Sequence, residues 1–412
     1  MRRFQEFSYV IVSQVLFFVL TIFFIKQISN ELTKEDFGQY VLISAIVSVS
    51  NSLLFGGLSN AVIRFYKEKQ INDQLNEFYV SIIHYFLFIS ILLSVTWIVL
   101  NFVFGRESSI TNFFEIISIL VLLLSVNSIF LNLLNARILR INYSVMFIID
   151  PIIKVAAVFL FSIYAIDLTF NLLIKLLIFS QSFVLAINLL SVKDIPSNLI
   201  KINGPSNREL FDYSAPISIW SIFVSTANNS DKFFLARFSS LGDVAGYSLL
   251  YQYFFSPILI GLNSLITFIT PMFVDKWSIL ENRRLILSLI RKLTLLVLSM
   301  GIIQLLSVFI FESEVKLLLG VKYEQYAKYF TLFILAGVFQ FAHHFIGIQV
   351  VLLKLPKMVL KFHILFSVLN IISNYFAIKE YGFNGAVLIL VLFSILSFGW
   401  IWFNLKQHHD KG

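Results

Sequence analysis

The apolar residues of this chain do not fall on one face of a helix or on alternate positions of a strand. They run on for about twenty positions at a time. From Phe7 to Ile25, 19 positions pass without a charge. A helix of that length crosses the ~30 Å hydrocarbon core of a bilayer and pairs its own backbone groups there. The pattern predicts twelve such helices, near 7–27, 37–63, 78–105, 116–136, 143–166, 168–192, 212–236, 244–274, 293–311, 329–353, 362–378 and 383–405. The first is a retained membrane helix. Its apolar run is too long for a signal peptide, and no small-residue cleavage pattern follows it.

The polar segments between these runs alternate in charge. Counting from the N-terminus, every second connection and both termini together carry 20 Lys and Arg, whereas the other connections and their flanking helix ends carry 9. Basic residues gather on the cytoplasmic side. The expected topology therefore has an even number of spans and both termini cytoplasmic. The outer connections are all short, which leaves no room for a folded extracytoplasmic domain.

The longest inner connection, Lys193 to Phe211, holds two prolines, a glycine and several polar residues, as a linker does. It divides the chain into six helices (1–192), a linker (193–211) and six more (212–412). The halves echo one another. "KEDFGQYVLISAIVSV" from Lys34 leads into the second helix, and "LGDVAGYSLLYQYFFS" from Leu241 leads into the eighth. Each runs acid, glycine, tyrosine, apolar helix, with Gly38 and Gly246 lying 208 positions apart. The fold class expected is an all-α polytopic membrane protein of two six-helix lobes related by an internal repeat. Transporters of that plan place their site at the repeat interface.

Composition agrees. Apolar residues are 58% of the chain and charged residues 13%, about half the charge of a soluble domain. The formal charge of +8 is accounted for by the basic inner segments and not by a nucleic-acid partner. The absence of cysteine excludes disulfides, thiolate metal sites and thiol nucleophiles.

"YSAPISIWSIF", then "NNSDKFFLARFSSLGDVAGYSLLYQ", from Tyr213 onward, resembles the seventh- and eighth-helix signature of Wzx-type polysaccharide flippases. These belong to the MOP superfamily of multidrug, oligosaccharidyl-lipid and polysaccharide exporters. Pro216, the "DKFFLA" run from Asp231, and Gly246 with Tyr247 carry the likeness. "LTKEDFGQYVLISAIVSV" is similar to the family's approach to the second helix. Lys232 stands where the family usually has Arg, and Ala236 where it has Gly. The resemblance implies two lobes around a central cavity and no enzymatic activity. It also implies movement of a polyprenyl-pyrophosphate-linked oligosaccharide to the outer leaflet by alternating access, for O-antigen or capsule synthesis. The partners implied are that lipid-linked substrate, membrane lipids and a polysaccharide polymerase or chain-length complex. The location implied is the bacterial cytoplasmic membrane. No cofactor is implied.

Charges inside spans cost about 2.5–3.5 kcal/mol each on insertion scales, so several of them suggest a wet, protein-lined space. In "FIIDPIIKVAAVF" (from Phe147), Asp150 and Lys154 are four residues apart on one face, with the acid N-terminal to the base. Pro151 frees the carbonyl of Phe147. Lys154 lies ~16 Å along its helix, and Lys175 lies ~10 Å along the next. These two ammonium groups, against one carboxylate, leave a positive surplus suited to a pyrophosphate. The plainer alternatives are a mutual structural pair for Asp150 and Lys154, and a snorkelling Lys175. Asn228, Asp231 and Lys232, expected near the outer end of the seventh helix, would bind sugar hydroxyls or close an outer gate. A solvated helix end is the alternative. Arg64 would anchor at the inner interface or capture phosphate. His84, His343 and His344 would relay protons or simply pack in the core. No metal site is expected.

Two other readings compete. A cation-coupled multidrug exporter of the same superfamily is disfavoured by a first helix without an acid. A membrane glycosyltransferase or polymerase is disfavoured by short outer loops and the lack of an acidic cluster.

Overall fold

A computed structural model describes residues 2–105, 109–137, 139–191, 206–261, 266, 273, 280–305, 308–353 and 356–410. The linker expected at 193–211 lies outside these residues up to position 205, as do Pro271, where a proline in an apolar run predicts a bend, and 275–279, the start of a run to 292 whose basic amphipathic pattern suits the inner membrane surface. Among the described residues there are helices and turns and no strand.

The helices are α1 (Arg2–Glu31), α2 (Lys34–Ile71), α3 (Leu75–Phe104), α4 (Ser109–Ala136), α5 (Arg140–Ile163), α6 (Phe170–Ser191), α7 (Ser206–Phe238) and α8 (Leu241–Leu250). A π-helical turn, Tyr251–Phe255, continues α8. Then follow α9 (Leu280–Leu305), α10 (Val308–Leu319), a 3₁₀ segment (Val321–Tyr329), α11 (Phe330–Ile346), α12 (Ile348–Leu352), α13 (Pro356–Tyr381) and α14 (Phe383–Asp410). Nine helical stretches among the described residues are long and apolar enough to cross a membrane. The other three expected spans fall on α7, on α8 with its continuation, and on α9 with the start of α10. The first of these carries a polar run from Ser225 to Lys232, and the other two pass through residues that are not described. The segment 312–328, a connection between two expected spans, forms the end of α10 and most of the 3₁₀ segment.

The outer surface shows why the chain needs lipid. On α3, Phe88, Ile91, Val95, Ile98 and Phe102 repeat at helical spacing and are all exposed, Phe102 at 92%. In water such a stripe would be a sticky patch; acyl chains match it. Helix association in lipid then rests on close packing and polar contacts.

The chain forms two compact units. One comprises Met1–Phe24 and Leu42–Thr226, and the other Ile25–Val41 and Ala227–Gly412. In the first unit, polar side chains tie helix to helix. Asn127 Nδ2 donates to the Gln181 backbone and side-chain oxygens, both at 2.9 Å, and Asn188 Nδ2 donates to Asn127 Oδ1 at 3.0 Å, joining α4 to α6. Ser125 Oγ donates to Asn51 Oδ1 at 2.7 Å, and Tyr85 Oη donates to the Leu54 carbonyl at 2.9 Å. The Gly57 N–H donates to Ser218 Oγ at 3.1 Å, which brings α2 against the first half of α7. A glycine in a membrane helix suits close packing, and Gly57 is such a position, the place of its missing Cβ filled by the Ser214 carbonyl, whereas Gly261 has open space where a Cβ would stand.

In the second unit α11 packs between α9 and α14. Ile286 and Ile290 of α9, Phe345 and Ile346 of α11, and Ile401 and Leu405 of α14 are buried in one cluster. Tyr247 is fully buried with its ring 5.1 Å from that of Phe333. Ser240 caps α8, its hydroxyl accepting from the Asp243 N–H at 3.0 Å. The Asp243 carboxylate also accepts from the Tyr326 hydroxyl at 2.8 Å, which ties the 3₁₀ segment to the start of α8. The Lys322 ammonium donates to the Leu32 carbonyl at 2.9 Å and to the Asn30 carbonyl, capping the open end of α1.

Candidate functional site

A cavity of about 130 Å³ lies within the second unit, and five helical segments build it. The second half of α7 supplies Ala227, Asn228 and Asp231. Tyr247, Tyr251, Phe255 and Leu259 come from α8 and its continuation. In a regular α-helix, positions four apart drift steadily around the axis. The wider π-turn at 251–255 offsets the drift and keeps these four on the cavity side. Gln340 and His344 come from α11, Asn370 and Asn374 from α13, and Leu390, Phe393 and Ser394 from α14, each at i, i+4 or i+3 spacing.

Asn228 and His344 are exposed at the cavity's edge, while Asp231, Tyr247, Asn374 and Ser394 are buried. Asp231 is only 7% exposed. Its Oδ1 accepts from the Lys232 N–H at 2.7 Å. The Lys232 ammonium donates to Asn229 Oδ1 at 2.9 Å and lies 5.5 Å over the Tyr251 ring. Asn374 Nδ2 donates to Ser230 Oγ at 2.9 Å and to Asn370 Oδ1 at 3.0 Å, holding α13 against α7. Asn374 Oδ1 is buried without a hydrogen-bond partner. The site thus gathers a carboxylate, an imidazole, two phenols, a hydroxyl and four amides in an apolar surround. Such a set can hold a proton, order water or bind hydroxyl-rich ligands. Among the described residues no group of three or more His, Cys, Asp or Glu is placed to hold a metal ion.

Asp231 was expected near the end of its helix. It lies seven residues inside, because α7 begins at Ser206 and runs to Phe238. The carboxylate is therefore enclosed and not solvated. The structure brings Asn228 and Asp231 together in one cavity and sets Lys232 beside it.

The other site candidates lie in the first unit. The Lys154 ammonium meets Asp150 Oδ2 at 2.6 Å, with side chains 17% and 22% exposed. Asp150 Oδ1 is buried without a hydrogen-bond partner. One turn before, Phe147 stacks on Tyr143 and packs 4.5 Å from Phe17 of α1. Lys175 is exposed on α6, on the face that carries the exposed Phe179 and Phe183. Arg64 is exposed and lies 3.6 Å from Glu68, one turn on.

Residues 4–277 match the family described as polysaccharide biosynthesis protein. The chain belongs to that family. Among solved structures its fold is similar to the lipid II flippase MurJ in an inward closed conformation, at 16% identity and a TM-score of 0.68. The alignment covers 97% of this chain and 87% of that one. It is also similar to an inward-facing multidrug resistance MATE transporter of the MOP superfamily, at 14% identity and a TM-score of 0.66, covering 96% of each chain. A MOP superfamily transporter from Pyrococcus furiosus aligns at 12% identity and a TM-score of 0.59, covering 97% and 95%. Among curated protein sequences none matches the chain. The protein is thus a multi-pass membrane protein of the polysaccharide biosynthesis family with the fold of MOP transporters.

The family motif around "DKFFLA" pointed to the cavity through Asn228 and Asp231. The sequence reading missed Gln340, Asn370, Asn374 and Ser394. Their signal was present: amides at i, i+4 in the apolar run of α13, and a glutamine one turn before His344. It lacked a charge to draw the eye.

Proposed function

We propose that this protein flips a polyprenyl-pyrophosphate-linked oligosaccharide from the cytoplasmic to the outer leaflet of a bacterial cytoplasmic membrane by alternating access, supplying surface polysaccharide synthesis. Membership of the polysaccharide biosynthesis family carries this reading. The fold it shares with a lipid II flippase supports it, since that protein's named cargo is also a lipid-linked sugar. The two helical halves, 1–192 and 212–412, act as the lobes, with both termini cytoplasmic.

In this reading Lys175 and Arg64 attract the anionic linkage, and Lys154 exchanges Asp150 for phosphate when substrate arrives. Asn228, Asp231 and Lys232 act at the sugar or couple the cycle to an ion. An enclosed carboxylate in a fold shared with MATE transporters favours one second reading, a cation-coupled drug exporter.

Cells lacking the protein should accumulate a lipid-linked sugar in the inner leaflet. Proteoliposomes holding the purified protein should translocate a fluorescent polyprenyl-pyrophosphate disaccharide. Absence of both, together with efflux of a cationic dye, would replace the flippase with the exporter.

A further inference from the structure

The second unit holds three histidines in one cluster, and the sequence displayed only two of them as neighbours. His343 and His344 are adjacent on α11, and His363 comes from α13. The ring centroids of His343 and His344 are 5.2 Å apart, and those of His343 and His363 are 6.0 Å apart. His343 is buried and His363 half-buried, while His344 is exposed and lines the cavity that contains Asp231. His363 is seven residues from the start of α13, so it lies ~10 Å from that helix end.

We propose that His363, His343 and His344 form a proton relay between the Pro356 end of α13 and Asp231, making the cavity of the second unit a proton-loading site. The tautomer of His343 supports this. Its Nδ1 lies 2.9 Å from the Ser397 carbonyl. A carbonyl only accepts, so Nδ1 carries the hydrogen, and the neutral ring offers Nε2 as a proton acceptor. A proton taken up at Nε2 gives the doubly protonated ring and leaves from the same Nε2 to a neighbouring imidazole or water, while the Nδ1–H stays on the Ser397 carbonyl; no bond other than N–H and the accepting or donating partner's own bond to hydrogen forms or breaks. The ring spacings leave transfer to each neighbour direct or through one water. Beyond His344, the cavity's volume of about 130 Å³ exceeds the ~30 Å³ share of a liquid water several times, so water can complete the path to Asp231.

The surrounding elements set the charges that the relay meets. From α7 come Asp231 and Lys232, from α8 Tyr247, and from the π-turn Tyr251. On α13 Lys361 is exposed two residues before His363. Near the α11 contact, α9 brings half-buried Arg291 and exposed Lys292. On α14, Ser394 and Ser397 are the polar residues facing the cluster and cavity. Among the described residues Asp231 is the one carboxylate lining the cavity, and it is where a proton arriving through His344 would come to rest.

This relay rests on the transport reading only for its purpose, and its test needs no substrate. Full-length protein labelled with ¹⁵N-histidine in lipid nanodiscs is titrated by NMR. The expected result is that His344→Gln moves the midpoints of His343 and His363 by about one pH unit, and that Asp231→Asn moves that of His344. His84→Gln, in the other unit, should leave all three unchanged. Three independent, unmoved midpoints in correctly folded His344→Gln protein would overturn the relay. Where flipping is observed, His363→Gln should keep basal translocation of the fluorescent disaccharide and lose its acceleration by an imposed pH gradient. Retained acceleration would overturn the relay. Coupled titration without flipping of any lipid-linked sugar would refute the flippase and leave the relay standing.

Discussion

Gly38 of α2 lies against the backbone carbonyl of Leu241, the first residue of α8, so closely that no side chain fits between them. Gly38 belongs to the motif of the first half and Leu241 opens that of the second, so the two repeated motifs pack on one another. The motif of the second half uses its own glycine in the same way: Gly246 lies beneath the Tyr326 ring. Residues that read as a repeat in the sequence are in the structure a single joint. A Cβ at Gly38 meets unyielding backbone, so Gly38→Ala should destabilise by about 1–3 kcal/mol. Gly246→Ala meets a ring that is buried and held to Asp243 by its hydroxyl, so it should cost a similar amount. Thermal unfolding followed by fluorescence size exclusion would rank the two variants.

The Asp243 carboxylate accepts from the hydroxyls of Ser240, Ser239 and Tyr326. Removing the phenol alone, as in Tyr326→Phe, should cost ~1 kcal/mol. Asp243→Ala should cost more than that, because it strands three donors at once. Equal losses in the same unfolding assay would show that the carboxylate does not organise this corner.

Lys154 and Asp150 neutralise each other at 2.6 Å within the apolar length of α5. Deleting one partner leaves the other charge alone in a half-buried position. Deleting both leaves none. The double variant Asp150→Ala/Lys154→Ala should therefore be more abundant and more heat-stable than either single variant. If the pair also meets phosphate, the double variant will fold and yet flip substrate poorly. Expression yield and translocation measured on the same three proteins separate the two roles.

Asn374 ties α13 to Ser230 of α7, bonds Asn370 one turn before it and lines the cavity, with its own oxygen buried and otherwise unpartnered. Asn374→Leu removes both functions at similar volume. Transport should fall at least tenfold, with a loss of stability of ~1–3 kcal/mol from the stranded neighbours. Transport at the wild-type rate would exclude the cavity from the working cycle.

Arg64 and Glu68 are mostly exposed on α2, and an ion pair in that setting contributes between nothing and ~1 kcal/mol. Arg64→Ala should leave the unfolding temperature nearly unchanged. A large fall in translocation despite unchanged stability would assign the guanidinium to phosphate capture.

The membrane helices were legible because uninterrupted apolar length is a strong signal. The membrane-crossing stretches on α1 to α6 and α11 to α14 overlap their expected positions. The helix ends were less legible. The starts of α4 and α7 lie several residues before the hydrophobic runs, because polar residues such as Thr111 extend a helix that apolar counting cuts short. The cavity was half legible. Asp231 announced itself as a charge in a span. The amides opposite it, on α13, are uncharged and fit an apolar run without breaking it, and their partnership with α7 spans 144 positions of sequence. No local pattern encodes a contact of that range.

The π-turn at Tyr251–Phe255 takes up one residue more than an α-helical turn would, so the segment tolerates a change of length at this one place. Removing a single residue there would restore ordinary winding and leave the side chains now at 255 and 259 seven and eleven positions after Tyr247, which in an α-helix is still the face of Tyr247 and Tyr251. A one-codon deletion inside the turn should therefore keep the pocket wall, whereas one in the regular winding of α8 would swing every later wall residue by about a quarter turn.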